Sequence, residues 1–426
     1  MSDHDLILHC AAGSLAIRDG MISDAGPNII GSAAEEIDFA DALILPGWID
    51  AHVHFNEPGR ADWEGFATGS RALAAGGGTT FFDMPLNSSP PVITRPAFEE
   101  KRRIGEAKSC LDFALWAGLT PDSLDHMEAM AEAGAIGFKA FMCPSGLDEF
   151  QSANPSTLRK GMETAARLGL PVAVHAEDPE TIARHQLDHP PAATDMRAWL
   201  DSRPIEAELS AIRIAIDLAG ETGCDLHIVH VTCPEGIDLV TAAKKRGVRV
   251  TVETCPHYLL LDDETAIATG PAAKCAPPIR SRETVEALWQ KLLAGEIDTI
   301  GSDHSPAPPD LKQGSDIFAM WGGIAGIQHA LPLLLSRNQD YSAQLSSNVA
   351  RRFRLPQKGS LTAGHDADFI VLKKQPFTIT REGLLTRHAI SPYLGMTSSY
   401  TIAATYLRGQ KVTQETKGKF LSPSRS

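Results

Sequence analysis

From Ile49 to roughly Leu335 the chain alternates short apolar runs with longer stretches of helical texture. The runs at 79–83, 111–116, 136–141, 171–175, 225–230, 249–253 and 298–302 are bounded by turn residues and read as strands. Between them lie helical stretches such as 68–75, 121–133, 156–168, 205–221, 234–246 and 282–293. With the strand that ends at His52 they make eight strand–helix units, the count of a (β/α)8 barrel of the α/β class.

The two ends have a different texture. Short apolar segments at 6–9, 14–18, 21–22 and 42–45 are separated by turns such as Asp19-Gly20, and 369–372, 401–407 and 411–412 look alike. The expected division is a small β domain from residues 1–46 and 355–426, and a barrel over 47–354.

Composition narrows the class. The 43% hydrophobic and 22% charged content is that of an ordinary globular protein. A net charge of −14 without a visible basic patch argues against nucleic acid as a partner. No basic n-region precedes a long apolar run, and no stretch is long enough to span a bilayer. The seven scattered cysteines include no Cys-x-x-Cys pair, so a disulfide-free protein of a reducing cytoplasm is expected.

The chemistry sits at the strand ends, where barrel active sites gather. His52 and His54, spaced i and i+2, share one face of a strand and aim two imidazoles at one point. His175, His230, Lys139 and Asp303 stand at or after the ends of later strands. Imidazoles with one carboxylate suit zinc or a neighbouring transition metal better than calcium or magnesium. Lys139, between two aromatics, faces a desolvation cost for its ammonium. It either snorkels to the surface or loses its proton, and a neutral amine can add carbon dioxide to give an anionic carbamate. His227, three residues before His230, is expected on the opposite strand face in a structural role, whereas His257 is a candidate substrate contact.

Five segments carry a resemblance: Pro46-Gly-Trp-Ile-Asp-Ala-His-Val-His, Gly137-Phe-Lys, Val174-His-Ala-Glu, His230-Val-Thr-Cys-Pro-Glu-Gly and Gly301-Ser-Asp-His-Ser-Pro. Together they resemble the cyclic-amide hydrolases of the amidohydrolase superfamily, nearly end to end. The resemblance implies a distorted barrel with a small β-sandwich made by both termini. It also implies two divalent metals, zinc or else cobalt, manganese or iron, held by His52, His54, His175, His230, Asp303 and an N6-carboxylated Lys139. Within that group, the runs 54–69, 83–88, 274–280 and 320–326 are similar to the allantoinase branch. That implies a small-molecule substrate, allantoin, opened to allantoate in purine breakdown, and a homotetramer. Asp303 would move the proton, and Asn56 and Asn87 would meet the ureido tail, an amide being the better partner for a neutral group. Ala276 departs from hydantoin-cleaving relatives, which tend to carry Ser there. Segments 144–155 and 305–317 are candidate lids. The alternatives are a hydantoinase, dihydropyrimidinase or dihydroorotase on the same scaffold, or a non-catalytic relative.

Overall fold

A computed structural model describes residues 2–424 apart from 12, 40 and 338; Met1, Arg425 and Ser426, at the margins of the expected terminal domain, lie outside the described residues. Barrel strands run at Trp48–Val53, Gly78–Asp83, Asp112–Leu115 with Ala117–Gly118, Phe138–Phe141, Val172–His175, Leu226–Ile228, Val250–Thr254 and Thr299–Ile300. Every pairing among them is parallel. The third strand breaks at Trp116: Asp112–Leu115 pairs back to Gly78–Asp83, while Ala117–Gly118 pairs forward to Phe138–Phe141. The ring closes where the His54 amide donates to the His304 carbonyl at 2.8 Å and the Trp48 indole donates to Ile300 O at 3.2 Å.

Helices cover the outer wall. Pro155–Leu168 starts on Asn154, whose side chain accepts from Thr157 N, and ends on left-handed Gly169, so both ends of the helix are satisfied. Its Leu158, Met162 and Ala165, three and four apart, are fully buried in the barrel's hydrophobic core. Arg95–Lys108, Pro179–Asp188 and Met196–Asp201 are further helices. The first of these is rich in charge and buries Ala97, Phe98, Lys101 and Gly105.

The terminal strands form two four-stranded sheets. One holds Met21–Gly26, Gly13–Arg18, His4–Cys10 and Ala33–Asp38; the other holds Gln410–Lys411, Thr401–Leu407, Phe369–Lys373 and Leu43–Pro46. Phe369–Lys373 pairs antiparallel with Leu43–Pro46, so the two ends of the chain share a sheet. Leu8, Ile17, Phe369, Val371 and Tyr406 fill the space between the sheets, a β-sandwich core. Past this sandwich the tail returns to the barrel: Leu421 N donates to Phe113 O at 2.7 Å, and Phe420 packs edge-on against Phe113.

Candidate metal centre and substrate cavity

All six expected ligands converge at the C-terminal mouth of the barrel. The ring centroids of His52 and His54 lie 5.5 Å apart, His230 is 5.5 Å from His52, and His175 is 4.6 Å from His230. Asp303 Oδ1 stands 3.2 Å from Nε2 of both His52 and His54. Lys139 is fully buried below them; its Nζ has no hydrogen-bond partner and sits 5.1 Å from the Phe141 ring centroid. Two of the six need an unusual backbone. The sixth strand stops at Ile228, and His230 and Asp303 both adopt left-handed φ, 44° and 46°, conformations that cost energy and cluster at functional sites.

Burial sets the protonation states. It pushes the imidazoles of His52 and His230 well below their usual value and lowers that of His175, keeping them in the neutral form that binds metal. Burial likewise pushes Lys139 down to about 8, against the pull of Asp303 and Glu253. Burial works to raise the Asp303 carboxyl, but the His54 hydrogen bond and the charges of His54, His257 and Lys139 outweigh it and hold it below the ordinary range. A buried amine with no partner beside neutral imidazoles and an ionised carboxylate matches a cationic centre in which the lysine itself becomes a ligand.

A second layer orients the ligands. Glu253 Oε1 is 2.8 Å from His52 Nδ1, leaving Nε2 toward Asp303. Gly301 makes room for this contact, since a Cβ there would come 2.5 Å from Glu253 Oε2. Glu177 Oε2 is 2.7 Å from His175 Nε2, and Arg203 donates to both Glu177 oxygens at 2.9 and 2.6 Å. Burial works against the Glu177 carboxylate, yet the Arg203 guanidinium and His175 hold its pKa far below the usual range. The sequence pattern singles out neither glutamate. Glu253 ends an apolar run and Glu177 follows His175 by two, so an acidic residue at a strand end was the available signal.

Above the ligands opens a cavity of about 370 Å³. Asn87, Phe141, Trp199, Lys274 and Trp321 are among its walls. Lys274 Nζ lies 4.2 Å over the Trp199 ring and donates to the Met320 carbonyl, tying the Met196–Asp201 helix to the 318–323 segment. From the candidate lids, Pro144, Ser145, Gly146 and Ser305 reach the lining, as does Ala276.

Other expected residues stand apart. Asn56 is fully buried with φ 66°, donates to Pro306 O at 3.2 Å and is not in the lining, so its side chain braces the wall. His257 is buried against Tyr258, outside the lining, and desolvation pushes it down to about 4. His227 does not face away from the barrel interior. The strand ends before His230, so alternation does not relate the two, and His227 sits beneath Glu253 with Nδ1 2.8 Å from Thr251 Oγ1.

The chain is similar to proteins of known family. A relative from Rubrobacter xylanophilus named allantoinase is 48% identical over 100% of this chain and 99% of its own length. One from Deinococcus radiodurans with the same name is 48% identical over 96% of this chain and 93% of its own. Among solved structures, an L-hydantoinase (dihydropyrimidinase) from Arthrobacter aurescens superposes with a TM-score of 0.92 at 31% identity, covering 98% of this chain and 97% of that one. The model of the amidohydrolase family matches residues 43–412, which takes in every strand of the barrel and each of the converging ligands. By that match, and by the length over which its relatives align, the chain belongs to the amidohydrolase family.

Proposed function

We propose that this protein opens the hydantoin ring of allantoin by hydrolysing a ring amide, giving allantoate. The supporting observation is the convergence of His52, His54, Lys139, His175, His230 and Asp303 under a cavity of about 370 Å³, in a chain 48% identical over nearly its whole length to proteins named allantoinase. His52, His54, His175, His230 and Asp303, with a carbamate on Lys139, are suited to hold two divalent metals, zinc first and cobalt, manganese or iron next. When bound, such metals supply Lewis acidity, polarising a carbonyl and making water a competent nucleophile at neutral pH.

The chain's own residues do the rest. Asp303, kept ionised, accepts a proton from the attacking water and returns it to the departing ring nitrogen. The Lys139 amine, desolvated toward neutrality, is the form that captures carbon dioxide. Asn87, 5% exposed in the cavity wall, offers donor and acceptor to the ureido group. Trp199, Phe318 and Trp321 present apolar rings to the cavity. The same reading places the protein in purine breakdown, as a cytoplasmic homotetramer. All seven cysteines are free, and among the described residues no helix is long and apolar enough to cross a membrane.

A hydantoinase is the second reading, favoured by the 0.92 TM-score to the L-hydantoinase. Parallel assays with allantoin, hydantoin, dihydrouracil and dihydroorotate, with metal counted on the same preparation, separate the two. Allantoin is expected to give the highest kcat/KM with about two metals per chain; dihydrouracil as the best substrate would replace the reading.

A further inference from the structure

The floor of the barrel, at the opposite ends of the strands from the metal centre, carries a second cavity of about 410 Å³. Asn348, Arg351, Arg352 and Arg354 line it together with Asp225 and Asp298. The two carboxylates already have partners: Lys244 bonds both oxygens of Asp298 at 2.8 and 2.6 Å, and Arg249 Nε is 3.1 Å from Asp225. Five cations therefore stand against two anions on the floor of a chain whose net charge is −14.

Arg352 shows that this excess is not matched from within. Its side chain is 13% exposed, its Nε is buried with no hydrogen-bond partner, and its closest carboxylate, Asp225, is 3.8 Å away. One guanidinium nitrogen donates to the Leu226 carbonyl at 3.0 Å. A buried donor without an acceptor loses its hydration with nothing in return, and burial lowers the pKa of this guanidinium. Arg354 adds a second tension. It holds φ 55°, a left-handed conformation that disfavours any residue with a Cβ, and yet a long cation occupies it at the cavity wall. Phe353 between them plugs the floor, its ring 5.0 Å from Phe82 and 5.3 Å from Trp116, which fixes where the flanking arginines emerge.

We propose that this basal cavity is an anion site for a tetrahedral phosphate group, gripped by Arg351, Arg352 and Arg354. Guanidinium forks match phosphate oxygens in pairs, and a dianion answers the uncompensated charge better than a single carboxylate does. The site is remote from the metals, and its existence does not depend on which ring the enzyme opens.

Titration calorimetry of inorganic phosphate into the metal-loaded protein, at fixed ionic strength set with chloride, tests it. The comparison is the double variant Arg351→Ala/Arg354→Gly, whose glycine suits the left-handed backbone and whose changes leave the metal centre intact. Saturable phosphate binding that weakens at least tenfold in the variant, with turnover retained, is the expected result. Glycerol 3-phosphate is the second probe: tighter than inorganic phosphate, it points to a phosphomonoester, and weaker, to the free ion. Equal binding by both proteins would place the phosphate elsewhere, at the metals for instance, and overturn the proposal. So would no binding, or succinate binding as tightly as phosphate through the same arginines.

Discussion

Glu253 Oε1 stands 2.8 Å from Nδ1 of His52, joining strand ends 201 residues apart. The contact fixes the tautomer of a ligand, because a proton on Nδ1 leaves Nε2 free toward Asp303. Burial pushes the Glu253 carboxyl up to about 8, and a cationic centre beside His52 would favour its ionised form. Glu253→Leu should lower metal affinity or activity about 10–100-fold, while Glu253→Gln, which keeps an acceptor oxygen, should lose less. Metal content after dialysis against a graded chelator is the measurement. Equal retention by Leu and wild type would make Glu253 a packing residue.

Lys139→Ala should remove most activity and most bound metal if the proposed carbamate forms on this orphaned amine. Added short carboxylic acids should restore part of both. Metal analysis with and without acetate reads this directly; full activity in the alanine variant would take the lysine out of the site.

For Asp303→Asn, loss should fall on kcat far more than on KM, since an amide can occupy the space but not carry the proton. Steady-state kinetics on allantoin decide it, and near-normal turnover would end the proton-transfer role.

Asn87→Ala should cost on the order of 1–3 kcal/mol in transition-state binding of allantoin, the penalty of an unmet polar group. Hydantoin, which lacks the ureido tail, should suffer much less. Asn56→Ala should instead weaken both substrates alike, because its amide nitrogen donates to Pro306 O inside the wall. The ratio of kcat/KM values for the two substrates distinguishes these outcomes.

Lys358 bonds Asp112 of the barrel at 2.5 Å, with Asp366 and Asp368 beside the sandwich at 2.8 and 2.7 Å. Lys358→Met leaves Asp368 and Asp366 without their cation, although Asp112 keeps Arg408, and should destabilise by about 3–5 kcal/mol, read as a lower thermal midpoint. Burial opposes the lysine charge, but Asp368, Asp112 and Asp366 outweigh it and raise its pKa. Its stabilisation is therefore complete below the ordinary value of 10.5 and is lost only as pH rises through the higher folded value.

The barrel and the six residues that converge at its mouth were legible in the chain because both follow local rules. Apolar runs of strand length mark the wall, and ligands sit at strand ends where side chains must point into the mouth. His52, His54, Lys139, His175, His230 and Asp303 needed only that arithmetic and a family likeness. What local rules could not reach is what long-range packing decides. The Glu253–His52 and Arg203–Glu177 contacts join residues whose proximity exists only once the barrel closes. Asn56 and Asn87 share φ 66° and a similar loop setting, yet one braces the wall and the other lines the cavity. His227 was misplaced because period-two alternation holds only while the backbone stays extended, and the strand stops at Ile228. A strand's direction is written in its own residues; which neighbour a side chain meets at its end is set by the curvature of the whole sheet, which no short stretch contains.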